Sequence, residues 1–131
     1  MSRKRILGTS LAAAGLVVGL GAAQLPPAMT GAGLWDVARK ASGHSSQRLC
    51  LTDPAILAQW EHRRVQCRRT VVSASENRAE VSYICAGGEF GTSKVRALTP
   101  RVLRIETQGI SRGYPFGYVL HARRMGDCPG R

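Results

Sequence analysis

The chain has 131 residues, a net charge of +11 from 19 basic and 8 acidic side chains, and 4 cysteines. A chain of this length leaves no room for a second domain of ordinary size. Its charge balance points to anionic partners such as lipid head groups, acidic glycans or other polyanions.

Ser2-Arg3-Lys4-Arg5 places three positive charges at the start, and Ile6 to Ala23 follows without any charge and closes on Gly21-Ala22-Ala23. A basic start, an apolar stretch and a small-residue ending form the pattern of a secretory signal peptide, with cleavage expected after Ala23. The competing reading is a retained amino-terminal anchor, because the apolar stretch approaches the roughly 17 to 25 residues that span a bilayer. No cysteine precedes Cys50, so the exported form is not expected to be a lipoprotein. The organisation expected is a signal peptide over 1–23, a linker over 24–32 and a single domain over 33–131. Removing Arg3, Lys4 and Arg5 lowers the net charge from +11 to +8, so the exported part remains basic.

Gln24 to Gly33, uncharged and with two prolines, reads as the linker. Leu34 to Ala38 reads as a first strand with Trp35 and Val37 on one face, and Gln47 to Leu51 as a short second strand. Thr52-Asp53-Pro54 is a helix start, with a capping side chain before a proline at the first helical position. One or two turns over Ala55 to Trp60 follow, with Ile56, Leu57 and Trp60 on one face.

From Val65 the period changes to two. Cys67, Arg69 and Val71 alternate with Arg68, Thr70 and Val72. Ala79, Val81, Tyr83 and Cys85 face away from Glu80, Ser82 and Ile84, and Leu103, Ile105 and Thr107 away from Val102, Arg104 and Glu106. Thr92 to Leu98 and Tyr118 to Met125 are further strands, while glycine-rich Gln108 to Gly117 reads as a loop. Strands at this spacing predict a mainly β fold: an antiparallel meander forming a curled sheet or small barrel, with one short helix after the first two strands.

The cysteines, at positions 50, 67, 85 and 128, lack the close pairs of a zinc or redox motif, and His44, His62 and His121 are scattered. An even count in a short exported chain reads as two disulfides, for which three pairings exist. A hairpin centred on Glu76 would set Cys67 opposite Cys85. No metal or other cofactor is expected. No serine, histidine or carboxylate stands in a recognisable catalytic motif, so no catalytic residue is assigned and the chain is not expected to be an enzyme.

Two sets of residues are candidates for binding. Arg63, Arg64, Arg68, Arg69, Arg123 and Arg124 form doublets whose guanidinium forks suit phosphates and carboxylates, although strand alternation sends the two members of a doublet to opposite faces. Trp35, Tyr83 and Tyr118 would line a barrel that accepts an apolar ligand, against the alternative that they are core.

Four stretches also carry a family likeness: Gly33-Leu34-Trp35-Asp36-Val37, Cys50-Leu51-Thr52 with Pro54, Cys67 and Cys85 in successive strands, and Arg123-Arg124-Met125-Gly126-Asp127-Cys128. In this order they resemble the bacterial exported family called domain of unknown function 3617. The likeness runs from Gly33 to Cys128. Asp53 intervenes before Pro54, and a Met- and Pro-rich segment often found after the first strand is missing. The resemblance implies a periplasmic domain without an established activity and the pairings Cys50–Cys67 and Cys85–Cys128. The expected function is a non-catalytic small-ligand-binding module of the cell envelope, taking an apolar or anionic ligand. The alternative is an interaction domain whose basic face meets envelope polyanions, a partner protein or the membrane surface. A nucleic acid partner is not expected.

Overall fold

The computed structural model describes Gly15 and residues 24–130. The signal-peptide assignment therefore falls outside the described residues, Gly15 excepted. Among them, no helix is long and apolar enough to cross a membrane.

Seven antiparallel strands form one sheet: β1 (Gly33–Ala38), β2 (Gln47–Leu51), β3 (Cys67–Ala74), β4 (Arg78–Cys85), β5 (Phe90–Thr99), β6 (Val102–Ser111) and β7 (Tyr114–Gly126). The spatial order is β2-β1-β7-β6-β5-β4-β3, so the sheet stays open with β2 and β3 as its edges. The expected alternation is present. Ala79, Val81, Tyr83, Leu103, Ile105, Leu120 and Ala122 are all buried on the inner face. That face is filled by Trp35 and Val37 from β1 and by Leu57, Ala58 and Trp60 from a 3-10 segment, Pro54–His62.

The 3-10 segment begins as its sequence dictates. The Asp53 side chain accepts a hydrogen bond from the Ala55 amide at 3.0 Å, and Pro54 occupies the first turn. The backbone at Gln59 (φ −124°, ψ 37°) leaves helical space, so the segment is two short 3-10 pieces joined at a kink. Ser93, fully buried on β5, ties the segment to the sheet. Its hydroxyl donates to the Ala58 carbonyl at 2.5 Å and lies 2.9 Å from Thr107 Oγ1. A buried polar group left without such partners would cost roughly 1 to 3 kcal/mol.

Three expectations need correction. The segment over 24–32 is no free linker: it makes a 3-10 turn, Pro27–Met29, and Met29 sits 1% exposed in the core cluster. The expected loop over Gln108 to Gly117 is instead a tight hairpin. Only Arg112 (φ 53°) and Gly113 (φ 79°) lie between β6 and β7, and two successive positive φ values suit a two-residue turn that matches the strand twist. Gly109 belongs to β6 because it lies directly opposite Gly91, where an added Cβ would run into the Phe90 carbonyl oxygen.

The third correction is the disulfide pairing. The bonds are Cys50–Cys128 and Cys67–Cys85. Cys50 and Cys67 stand on opposite edge strands, so the sheet itself separates them. Cys67 and Cys85 are direct cross-strand partners in the hairpin of β3 and β4. Leu34 of β1 pairs with Cys50 on one side and with Gly126 on the other, so the tail beyond β7 reaches Cys50 by crossing a single strand.

Candidate functional site

The inner face is occupied, which leaves the outer face, the two ends and the edges for recognition. On the outer face, β-sheet register assembles residues that are far apart in sequence. Arg78 lies opposite Arg96, Arg96 opposite Arg104, and Arg104 opposite His121. Three arginines therefore stand in one transverse row across three strands, and His121 extends it onto a fourth. Like charges directly opposed destabilise a sheet. Arg104 is partly relieved by Glu106, 2.6 Å away on its own strand. Among the described residues, Arg78 and Arg96 make no ion pair and no side-chain hydrogen bond, and both are exposed. A shallow depression of about 530 Å³ is lined by Arg78, Arg96, Arg104 and Lys94, with Glu80 and Glu106 also at its wall.

The rest of this face is basic as well. Arg48, Arg68, Lys94 and Arg123 share it with the row, against Asp36, Glu80 and Glu106. Two of these acids are already engaged. The Arg48 guanidinium, 2.9 Å away, holds the Asp36 carboxyl below its ordinary range, and Arg104, helped by Lys94, does the same for Glu106. The row itself was missed in the sequence, because its members are 18 and 8 residues apart. The signal was present in the turns: folding the chain at Gly87 and Pro100 superposes 78 on 96 and 96 on 104.

The six arginines expected to bind anions do not converge. Arg69 is committed to structure, donating to Gln59 Oε1 at 2.8 Å and to Asp53 Oδ2 at 2.9 Å. Arg124 donates to the Ala32 carbonyl and to Asp127. Arg63 stacks on the Trp60 ring at 4.3 Å and donates to the Trp60 carbonyl. Arg64 is exposed beside it, Arg68 and Arg123 lie on the outer face, and no two of these three are neighbours in the sheet.

The expected ligand-lining aromatics also part company. Trp35 (0% exposed) and Tyr83 (1%) are core, and the indole Nε1 of Trp35 is buried without a partner. Tyr118 is half-buried: its hydroxyl donates to Glu61 Oε2 at 2.8 Å, and the Arg39 guanidinium lies 3.3 Å from its ring centroid. Burial and the Glu61 carboxylate push its hydroxyl pKa well above the ordinary tyrosine value.

A second cluster, which the sequence did not reveal, surrounds His62. This side chain is 3% exposed, with Nδ1 2.9 Å from the Tyr83 hydroxyl and Nε2 2.6 Å from Glu89 Oε2. The carboxylate is close but off the N–H direction, so it acts on Nε2 as a nearby charge rather than an aligned hydrogen-bond acceptor. Carboxylate, imidazole and hydroxyl follow one another as they do in acyl-transfer triads. Here, however, the hydroxyl belongs to buried Tyr83, whose pKa is pushed up to about 12 by burial and by Glu61 and Glu89, with Thr107 opposing. A nucleophile must be both reachable and activated, and this hydroxyl is neither. Phe116 closes the remaining side, edge-on to His62 at 5.6 Å. Among the described residues no group of three His, Cys, Asp or Glu side chains could hold a metal ion. No family model, curated protein or solved structure matches this chain.

Proposed function

We propose that the chain is an exported, non-catalytic binding domain that holds an anionic ligand or polyanion of the cell envelope on the outer face of its sheet. The observation that carries this reading is the row Arg78-Arg96-Arg104, where like charges stand in direct opposition and only Arg104 has an acidic partner, Glu106. An oxyanion with several charges removes that repulsion and receives the planar, bidentate donors that arginine offers. Two disulfides suggest an oxidising, extracellular-type environment. The basic, apolar, small-residue amino terminus and the resemblance to an exported family support the periplasm as that environment. The packed inner face counts against the alternative of an apolar ligand held inside a barrel.

The test is a titration of the oxidised protein with short-chain polyphosphate, followed by amide chemical shifts at several salt concentrations. Shifts should centre on β4, β5 and β6, and affinity should fall steeply with salt as counterions are released. The double variant Arg78→Gln/Arg96→Gln should lose at least tenfold in affinity while keeping its melting temperature or raising it. Unchanged affinity in that variant refutes the assignment of the row.

A further inference from the structure

One end of the sheet is built unlike the rest of the surface. The turn between β4 and β5, the Arg112-Gly113 turn and the connection from the 3-10 segment into β3 all lie there. Large apolar side chains are left exposed at this end: Tyr114 at 76%, Ile84 at 65%, Phe90 at 48% and Val65 at 41%. Ile84 and Phe90 are direct cross-strand partners, and Ile110 and Pro115 continue the same row. The three other exposed large apolar residues, Val72, Leu98 and Met125, have a local explanation, since each is the extra residue of a β-bulge. The four at the end of the sheet sit in regular ladder or at the tip, and no bulge accounts for them.

Cations surround these groups. Arg68 is the cross-strand partner of Ile84, Arg112 occupies the turn next to Tyr114, and Arg64 precedes Val65. Among the described residues the guanidinium groups of Arg64, Arg68 and Arg112 have no side-chain or backbone partner. The two acids bordering this end are turned inward: Glu89 contacts His62 and accepts the Arg112 amide, and Glu61 accepts the Tyr118 hydroxyl. Arg112 also stands at positive φ, a turn position that Asn, Asp or Gly fills at lower energy. The arginine there places a charge at the tip in spite of the backbone.

We infer that this end docks on the surface of an anionic lipid bilayer, with Ile84, Phe90 and Tyr114 entering the interface and Arg64, Arg68 and Arg112 meeting lipid phosphates. Aromatic and aliphatic side chains exposed at the strand ends that flank turns match the depth of the head-group region, and arginines beside them match its charge. Arg68, Ile84 and Phe90 lie on the same outer face, but no docking residue belongs to the row Arg78-Arg96-Arg104 at the other end of these strands, so either assignment can fail alone.

The experiment uses the oxidised protein with Tyr114→Trp as a local reporter, its emission read as the difference from the parent, whose own Trp35 and Trp60 are buried. Vesicles of phosphatidylglycerol and phosphatidylethanolamine should shift its emission to the blue, and lipids brominated in the acyl chain should quench it. Neutral phosphatidylcholine vesicles should do neither. Adding Arg64→Gln/Arg112→Gln should weaken partitioning about thirtyfold, from about 1 kcal/mol per charge at the surface. Arg78→Gln/Arg96→Gln should leave the blue shift and quenching in place. Emission that stays unchanged on phosphatidylglycerol vesicles overturns the proposal. So does binding that survives Phe90→Ser/Ile84→Thr undiminished, or loss of self-association in that variant without any vesicle binding in the parent.

Discussion

Replacing Cys50 and Cys128 together by alanine removes the bond that closes a 78-residue stretch. Cys50 is exposed and Cys128 only partly covered, so the substitution takes little apolar surface from the core and acts chiefly on the unfolded chain. The loop-closure estimate for that length is about 4.5 kcal/mol. The corresponding change at Cys67 and Cys85 opens an 18-residue stretch and forfeits about 3 kcal/mol from the same source. Buried Cys85 adds roughly 1 kcal/mol of lost apolar contact. The totals lie close together, so the dependence on denaturant separates them. Opening the long loop lets the unfolded chain expose more surface, and the m-value of the Cys50/Cys128 variant should rise more. Equilibrium urea unfolding of both variants and the parent, under oxidising conditions, reads both quantities. A loss below about 2 kcal/mol at Cys50/Cys128 with an unchanged m-value would refute the reasoning, because the clamp would then not be acting through the length of chain it closes.

Gly109→Ala should destabilise the fold by roughly 1 to 3 kcal/mol in thermal or urea unfolding, because the added methyl meets the Phe90 carbonyl and the Gly91 Cα on the neighbouring strand. Trp35→Ala should cost about 3 to 5 kcal/mol, as expected of a fully buried ring, and should leave polyphosphate affinity unchanged in the fraction that folds. Tyr83 makes stability fall at alkaline pH. Its folded pKa of about 12 exceeds the ordinary 10.0, so its contribution is complete below pH 10 and is lost as pH rises towards 12. Urea unfolding across that range, alongside tyrosinate absorbance, should show a shallower loss in Tyr83→Phe, and an equal slope would remove Tyr83 from the account.

Strand alternation was readable wherever one face is buried and the other wet, as in Ala79 to Cys85 and Leu103 to Thr107. The capped start at Asp53 was equally plain. Glycine misled at Gln108 to Gly117, where Gly109 serves close strand approach instead of a turn, and where the true turn is Arg112-Gly113 instead of the Asn-Gly that commonly marks a two-residue hairpin. Met29 could not be placed because a three-residue turn has no period to betray its buried side. Family resemblance pointed to the wrong cysteine partners, while the hairpin centred on Glu76 held the right one. Reading along the chain finds arginine doublets, but recognition surfaces on a sheet run across strands. The row at Arg78, Arg96 and Arg104 needs two registers before it exists. The His62 cluster needs still more, since its partners come from two strands and a turn.

The tail clamped to Cys50 also decides how the molecule carries mechanical load. Tension applied between residues 24 and 130 runs from the amino-terminal segment through Cys50 into Cys128, bypassing residues 51–127 altogether. Only β1, β2 and their flanks can be drawn out, to a contour length of about 100 Å, against about 370 Å for the same span with the bond reduced. The arginine row and the apolar end both lie inside the shielded stretch. A domain tethered near one terminus while its binding surface is held elsewhere would therefore yield at its first two strands and keep its grip.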